Sequence, residues 1–65
     1  MNTFYDVQQL LKKFGTFIYT KNRSVDSLMM EDEIRELYES GMVDKQSYQA
    51  ALLILKKEQR EQQKG

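Results

Sequence analysis

The chain has 65 residues, ten Lys plus Arg against ten Asp plus Glu, and no His, Cys, Trp or Pro. Those missing types exclude a Cys/His zinc site, a Ser-His-Asp triad, a Cys-His pair and a disulfide framework. The length predicts a single helical domain over residues 1–65, close to the lower size limit for a self-sufficient hydrophobic core.

Apolar residues make up 40% and charged residues 31%, the balance of a globular rather than a disordered chain. The longest uncharged apolar run, Ala50 to Leu55, is far short of the roughly 20 residues of a membrane span. The first residues, Met1-Asn2-Thr3-Phe4-Tyr5-Asp6, lack the basic-then-apolar pattern of a signal peptide. A cytoplasmic location and no membrane partner are expected. The charge is unevenly spread: residues 1–23 carry +3, residues 24–44 carry −6 and residues 45–65 carry +3. The ordinary account is an acidic middle element packed between two basic ones. The alternative is a basic face left free for an anionic partner.

Helix 1 is predicted over about 3–19 with a break near Gly15. Phe4, Val7, Leu11, Phe14 and Ile18 recur at helical spacing. Thr3 caps the start, with Asp6 three residues on in a capping-box arrangement. At Gly15 two readings stand. The helix ends at Phe14 with Gly15 as a left-handed cap. Or it runs on to Tyr19 as helix or 3₁₀ turn, which the phase of Ile18 favours. The β-formers in Thr16-Phe17-Ile18-Tyr19-Thr20 oppose continuation, but a lone strand would have no partner.

Helix 2 is predicted over about 25–40, capped by Ser24 or Asp26 after the loop Lys21-Asn22-Arg23. Met30, Ile34, Leu37 and Gly41 share a stripe with Tyr38 at its edge, and most of the acids lie opposite. Arg35 stands four residues from both Glu31 and Glu39 and can pair with either. Gly41 suits a left-handed cap that closes a Schellman turn with Met42. Asp44 follows as the N-cap of helix 3, predicted over about 45–60, with Val43 stapled onto Tyr48. So short a link forces helices 2 and 3 into an antiparallel hairpin. Tyr48, Ala51, Leu52 and Leu55 form the stripe of helix 3, and Ala50, Leu53 and Ile54 widen its apolar arc. Either this helix packs against both others or a second chain covers part of it. The fold class read from these elements is all-α, a three-helix bundle.

Chemistry is harder to find. Glu31, Asp32, Glu33 and Glu36 read as a solvated acidic face, matching no metal loop. Ser24, Ser27, Ser40 and Ser47 have no base and occupy expected caps and first turns. The three glycines are isolated, so no phosphate loop exists. No active site, metal or cofactor is assigned, and the chain is not expected to be an enzyme.

The most suggestive stretch runs from Lys12 to Arg23. It holds Lys12, Lys13, Lys21 and Arg23, no acid, and the aromatics Phe14, Phe17 and Tyr19. Cations for phosphates and ring faces for unstacked bases are what single-stranded nucleic acid needs. Lys12, Lys13, Lys21 and Arg23 are assigned to phosphates, Phe17 and Tyr19 to bases, and Phe14 to the core. The bland reading has Phe17 and Tyr19 merely closing the bundle. A second function class follows from helix 3: a protein-interaction module or homodimer in which Leu28, Met29, Leu53 and Ile54 form an exposed patch.

The chain also resembles the YqgQ-like family of short bacterial proteins. The likeness runs through Phe4-Tyr5-Asp6-Val7-Gln8-Gln9-Leu10-Leu11-Lys12 and the distinctive Gly15-Thr16-Phe17-Ile18-Tyr19-Thr20. It continues with Met30, Ile34, Leu37-Tyr38, Gly41, Tyr48, Ala51, Ile54-Leu55 and Glu58. Lys21-Asn22 departs from it, since members more often carry Gly and an acid before the arginine. The resemblance implies a small three-helix bundle. On function it implies little, the family being described as uncharacterised; a suggested role in binding single-stranded DNA or RNA supports the basic–aromatic segment and maps no established site.

Overall fold

A computed structural model describes residues 1–63, the side chains of Gln62 and Gln63 excepted. Three helices are present, α1 (Phe4–Lys13), α2 (Arg23–Glu39) and α3 (Lys45–Gln63), with no strand among the described residues. The molecule is an all-α three-helix bundle in which α2 and α3 pack most closely, while α1 lies against both. Lys64 and Gly65, the end of the polar tail, lie outside the described residues. No described helix is long and apolar enough to cross a membrane.

Local chemistry sets each helix end. At α1 the Thr3 hydroxyl accepts from the Asp6 N–H at 3.2 Å, and the Asp6 carboxylate accepts from the Asn2 and Thr3 N–H groups. Those bonds, Asn2 first and Thr3 next, hold the Asp6 carboxyl below its ordinary range. At the other end Gly15 takes φ 85°, and the helix stops. Its N–H reaches the Lys12 carbonyl at 3.0 Å and the Thr16 N–H reaches that of Leu11 at 3.1 Å, a Schellman cap. This corrects the extension of helix 1 toward Tyr19. The phase of Ile18 is real, but once the carbonyls of the last turn are satisfied the helix has nothing to continue. Residues 16–20 run on without helix: Thr16 and Ile18 are half-buried, Phe17 and Tyr19 are exposed between and after them, and Thr20 is exposed as well.

Gly41 repeats the device at the end of α2. It sits at φ 78°, its N–H on the Tyr38 carbonyl and the Met42 N–H on the Leu37 carbonyl. Asp44 caps α3, accepting from the Ser47 hydroxyl at 2.7 Å and N–H at 3.1 Å. Those two bonds, the hydroxyl's first, lower its carboxyl. The cap of α2 is neither Ser24 nor Asp26. Asn22 takes that role, accepting the Val25 N–H at 3.2 Å, because Asp26 is committed elsewhere.

The core gathers Phe4, Val7 and Leu11 of α1, Met30 and Ile34 of α2, Val43 of the link, and Ala51 and Leu55 of α3. Ile18, Leu37, Tyr48, Leu52 and Ile54 pack around it. Tyr38 and Tyr48 stack at 4.3 Å across the α2–α3 hairpin. Phe14 is not part of this core. As the C-cap of α1 it turns outward, because the helical phase that would have carried it inward ends beneath it.

Glu31 is the polar counterpart of that apolar seam. It is nearly buried, with Gln59 Nε2 at 2.9 Å on one oxygen and Arg35 at 2.9 Å and Lys56 at 3.1 Å on the other. Of the two partners open to Arg35, Glu31 wins because it is already held in place from α3. Gln59 first, then Lys56, draw the Glu31 carboxyl below its ordinary value of 4.5. A depressed folded-state pKa contributes stability that is fully present above that value and is lost as pH falls through the folded one. We therefore expect Glu31→Gln to lower stability at pH 7 by about 1–3 kcal/mol. Below pH 4.5 the gap to the wild type should narrow. Urea melts across that range check it, and a gap that stays constant would refute it.

Candidate functional site

The segment from Thr16 to Thr20 is clamped to α2 at both ends. Thr16 Oγ1 donates to Glu33 at 3.3 Å. Thr20 donates to Asp26 twice, from its N–H at 2.9 Å and its hydroxyl at 2.6 Å. Asp26 is 1% exposed, so this is a buried carboxylate whose work is to anchor a loop. With Thr16 and the exposed Thr20 hydrogen-bonded to α2 and Ile18 packed on the core, Phe17 and Tyr19 face out. They are 75% and 64% exposed. The basic–aromatic corner is therefore built by three inward contacts, and neither ring closes the end of the bundle.

Two adjoining grooves run between this segment and α1. One is lined by Gln9, Lys12, Phe17 and Ile18, the other by Phe4, Lys21, Arg23 and Asp26, and both share Tyr5, Gln8 and Tyr19. Lys12 lies 5.7 Å from the centroid of the Phe17 ring, close enough for a cation–π contact. Lys21 sits at the far end, with φ 70°. A lysine in the left-handed region is uncommon. Lys12, Lys13 and Lys21 take part in none of the ion pairs among the described residues.

The predicted residues do not all meet. Lys12, Phe17, Tyr19, Lys21 and Arg23 line the two grooves, and Lys13 lines neither. Arg23 is also engaged: its Nε is 2.9 Å from Glu58, and its guanidinium lies 4.6 Å from the Phe4 ring centroid. It offers less free charge than Lys12 or Lys21. Three further residues of α1, Tyr5, Gln8 and Gln9, line the grooves outside the basic–aromatic stretch. Their signal was present as a second helical stripe, Tyr5, Gln8, Gln9 and Lys12, lying beside the apolar one. An aromatic and two amides on the polar side of a helix read as ordinary solvent-facing residues.

Of the four residues expected in an apolar patch, Leu53 is 74% exposed and shares a groove with Gln49, Leu52 and Lys56. Leu28 and Met29 are also exposed, on α2, whereas Ile54 packs against the core. Among the described residues no group of three or more acids gathers as a metal site.

A family model described as YqgQ-like matches residues 1–61. The "Uncharacterized protein YqgQ" of Bacillus subtilis (strain 168) is 45% identical over 65 residues, covering 100% of this chain and 92% of that protein.

Proposed function

Since the chain belongs to the YqgQ-like family, and the name of its Bacillus subtilis relative assigns no activity, we propose a function from the chain's own surface: it binds single-stranded DNA or RNA. The carrying observation is that Phe17 and Tyr19 stand outward, between Lys12 at one end of the grooves and Lys21 and Arg23 at the other. Ring faces take unstacked bases and the cations take phosphates. Lys13, on the adjacent surface, adds long-range attraction only. The protein acts by binding rather than catalysis, in the cytosol, without a cofactor.

A labelled oligonucleotide titrated at several salt concentrations tests this. Three phosphate contacts on a single strand give a log–log salt slope of about −2. Lys12→Glu combined with Lys21→Glu should abolish low-salt binding, and Lys13→Glu alone should weaken it only modestly. No binding by the wild type at low salt ends the reading.

The exposed Leu53 favours a second reading, a homodimer through α3. Sedimentation at high protein concentration separates the two, because a strict monomer removes it.

A further inference from the structure

We propose that the outward stripe of α1, Tyr5, Gln8, Gln9 and Lys12, is the second wall of a trough that holds about three unpaired nucleotides. This deepens the single-strand reading above and rests on it.

The two grooves share Tyr5, Gln8 and Tyr19 and so adjoin at these residues, and the proposed trough runs through both. Three rings open onto it: Tyr5, Phe17 and Tyr19, each more than 60% exposed. Tyr5 comes from the helix and the other two from the clamped segment, so a base entering the channel meets aromatic surface from both sides. From Tyr5 to Lys12 the helix rises about 10 Å. Bases that stay stacked on one another advance about 3.4 Å each, so this length takes about three of them as a short stacked run. The ring count and the length agree.

Gln8 and Gln9 lie along this wall, between the aromatic and the cation. A primary amide both donates and accepts, which matches the Watson–Crick edge of an unpaired base. A duplex hides those edges and its own base faces, so it can use only the lysines. An acidic peptide likewise satisfies the cations and leaves rings and amides unused. Tyr5 has no buried role that would otherwise explain an exposed aromatic in this position.

The test is a nitrogen-15 NMR titration of the full chain with oligothymidylates of increasing length. Affinity should rise steeply and then level off at about three to four nucleotides. Amides of Tyr5, Gln8 and Gln9, and the Gln8 and Gln9 side-chain NH₂ groups, should shift with those of Phe17 and Tyr19. Tyr5→Ala should weaken binding about tenfold, with an unchanged thermal melt. If Tyr5→Ala and Gln8→Ala bind as the wild type does while the Lys12/Lys21 double variant does not, the α1 wall is wrong and the single-strand reading stands. If inorganic polyphosphate produces the same shifts as the oligonucleotide, no base enters the channel and the trough is overturned. If no oligonucleotide binds, both fall together.

Discussion

Leu55→Ala should remove a large share of the chain's folding stability and move its urea midpoint far below that of the wild type. Leu55 is fully buried at the centre of α3, among residues from all three helices. Truncating such a leucine costs about 2–5 kcal/mol, part lost transfer energy and part unfilled cavity. A chain of this length commands only about 3–10 kcal/mol in total. The control is Leu53→Ala, two residues away and 74% exposed, which should stay within about 0.5 kcal/mol of the wild type. Urea denaturation of the pair checks it. A Leu55→Ala protein that melts near the wild-type midpoint would show that α3 is not the keystone of this core.

Asp26→Ala should be the most damaging polar change, with a cost of about 2–3 kcal/mol. The substitution removes the acceptor for both the Thr20 N–H and the Thr20 hydroxyl, and leaves a part-buried donor unpaired. Its effect should be concentrated in residues 16–22. Amide exchange at Thr20 should accelerate far more than at Ile34, whose protection reports global opening. Oligonucleotide affinity should fall although the lysines and rings of the trough remain, since Phe17 and Tyr19 are held outward only while Thr20 is bonded to Asp26. Asp26→Asn keeps one acceptor oxygen and should fall between the two. Unchanged exchange at Thr20 in Asp26→Ala would refute the clamp.

These two positions also mark how far the sequence could be read. Leu55 was legible because burial on a long helix is written in its spacing. So were the Thr3–Asp6 capping box, the Gly41 turn and the Asp44 cap, each a pattern complete within a few residues. Asp26 was not legible. Aspartate before a helix reads as a cap, and only the folded chain shows it one turn inside α2, with Thr20 as its partner. The same limit explains α1. Periodicity through Ile18 argued for continuation, but the decision lay with two N–H groups that satisfy the carbonyls of Leu11 and Lys12. Tertiary pairings such as Arg23 with Glu58 and Glu31 with Gln59 join residues far apart in the chain and leave no local trace. At the candidate site the basic and aromatic residues were visible from composition alone. The outward rings follow from where the helix stops and from the contacts of Thr16, Ile18 and Thr20 with α2 and the core.

With no tryptophan, the four tyrosines supply the chain's intrinsic near-ultraviolet signal almost alone, and they fall into two pairs with different work. Tyr38 and Tyr48 lie face to face at an interplanar angle of 2°, a coupled pair of phenols whose dichroism disappears when tertiary packing is lost. Tyr5 and Tyr19 face solvent, where a nucleobase laid on either ring would quench its emission. One unlabelled sample thus carries two independent optical reporters, one for whether the hairpin is intact and one for whether the channel is occupied.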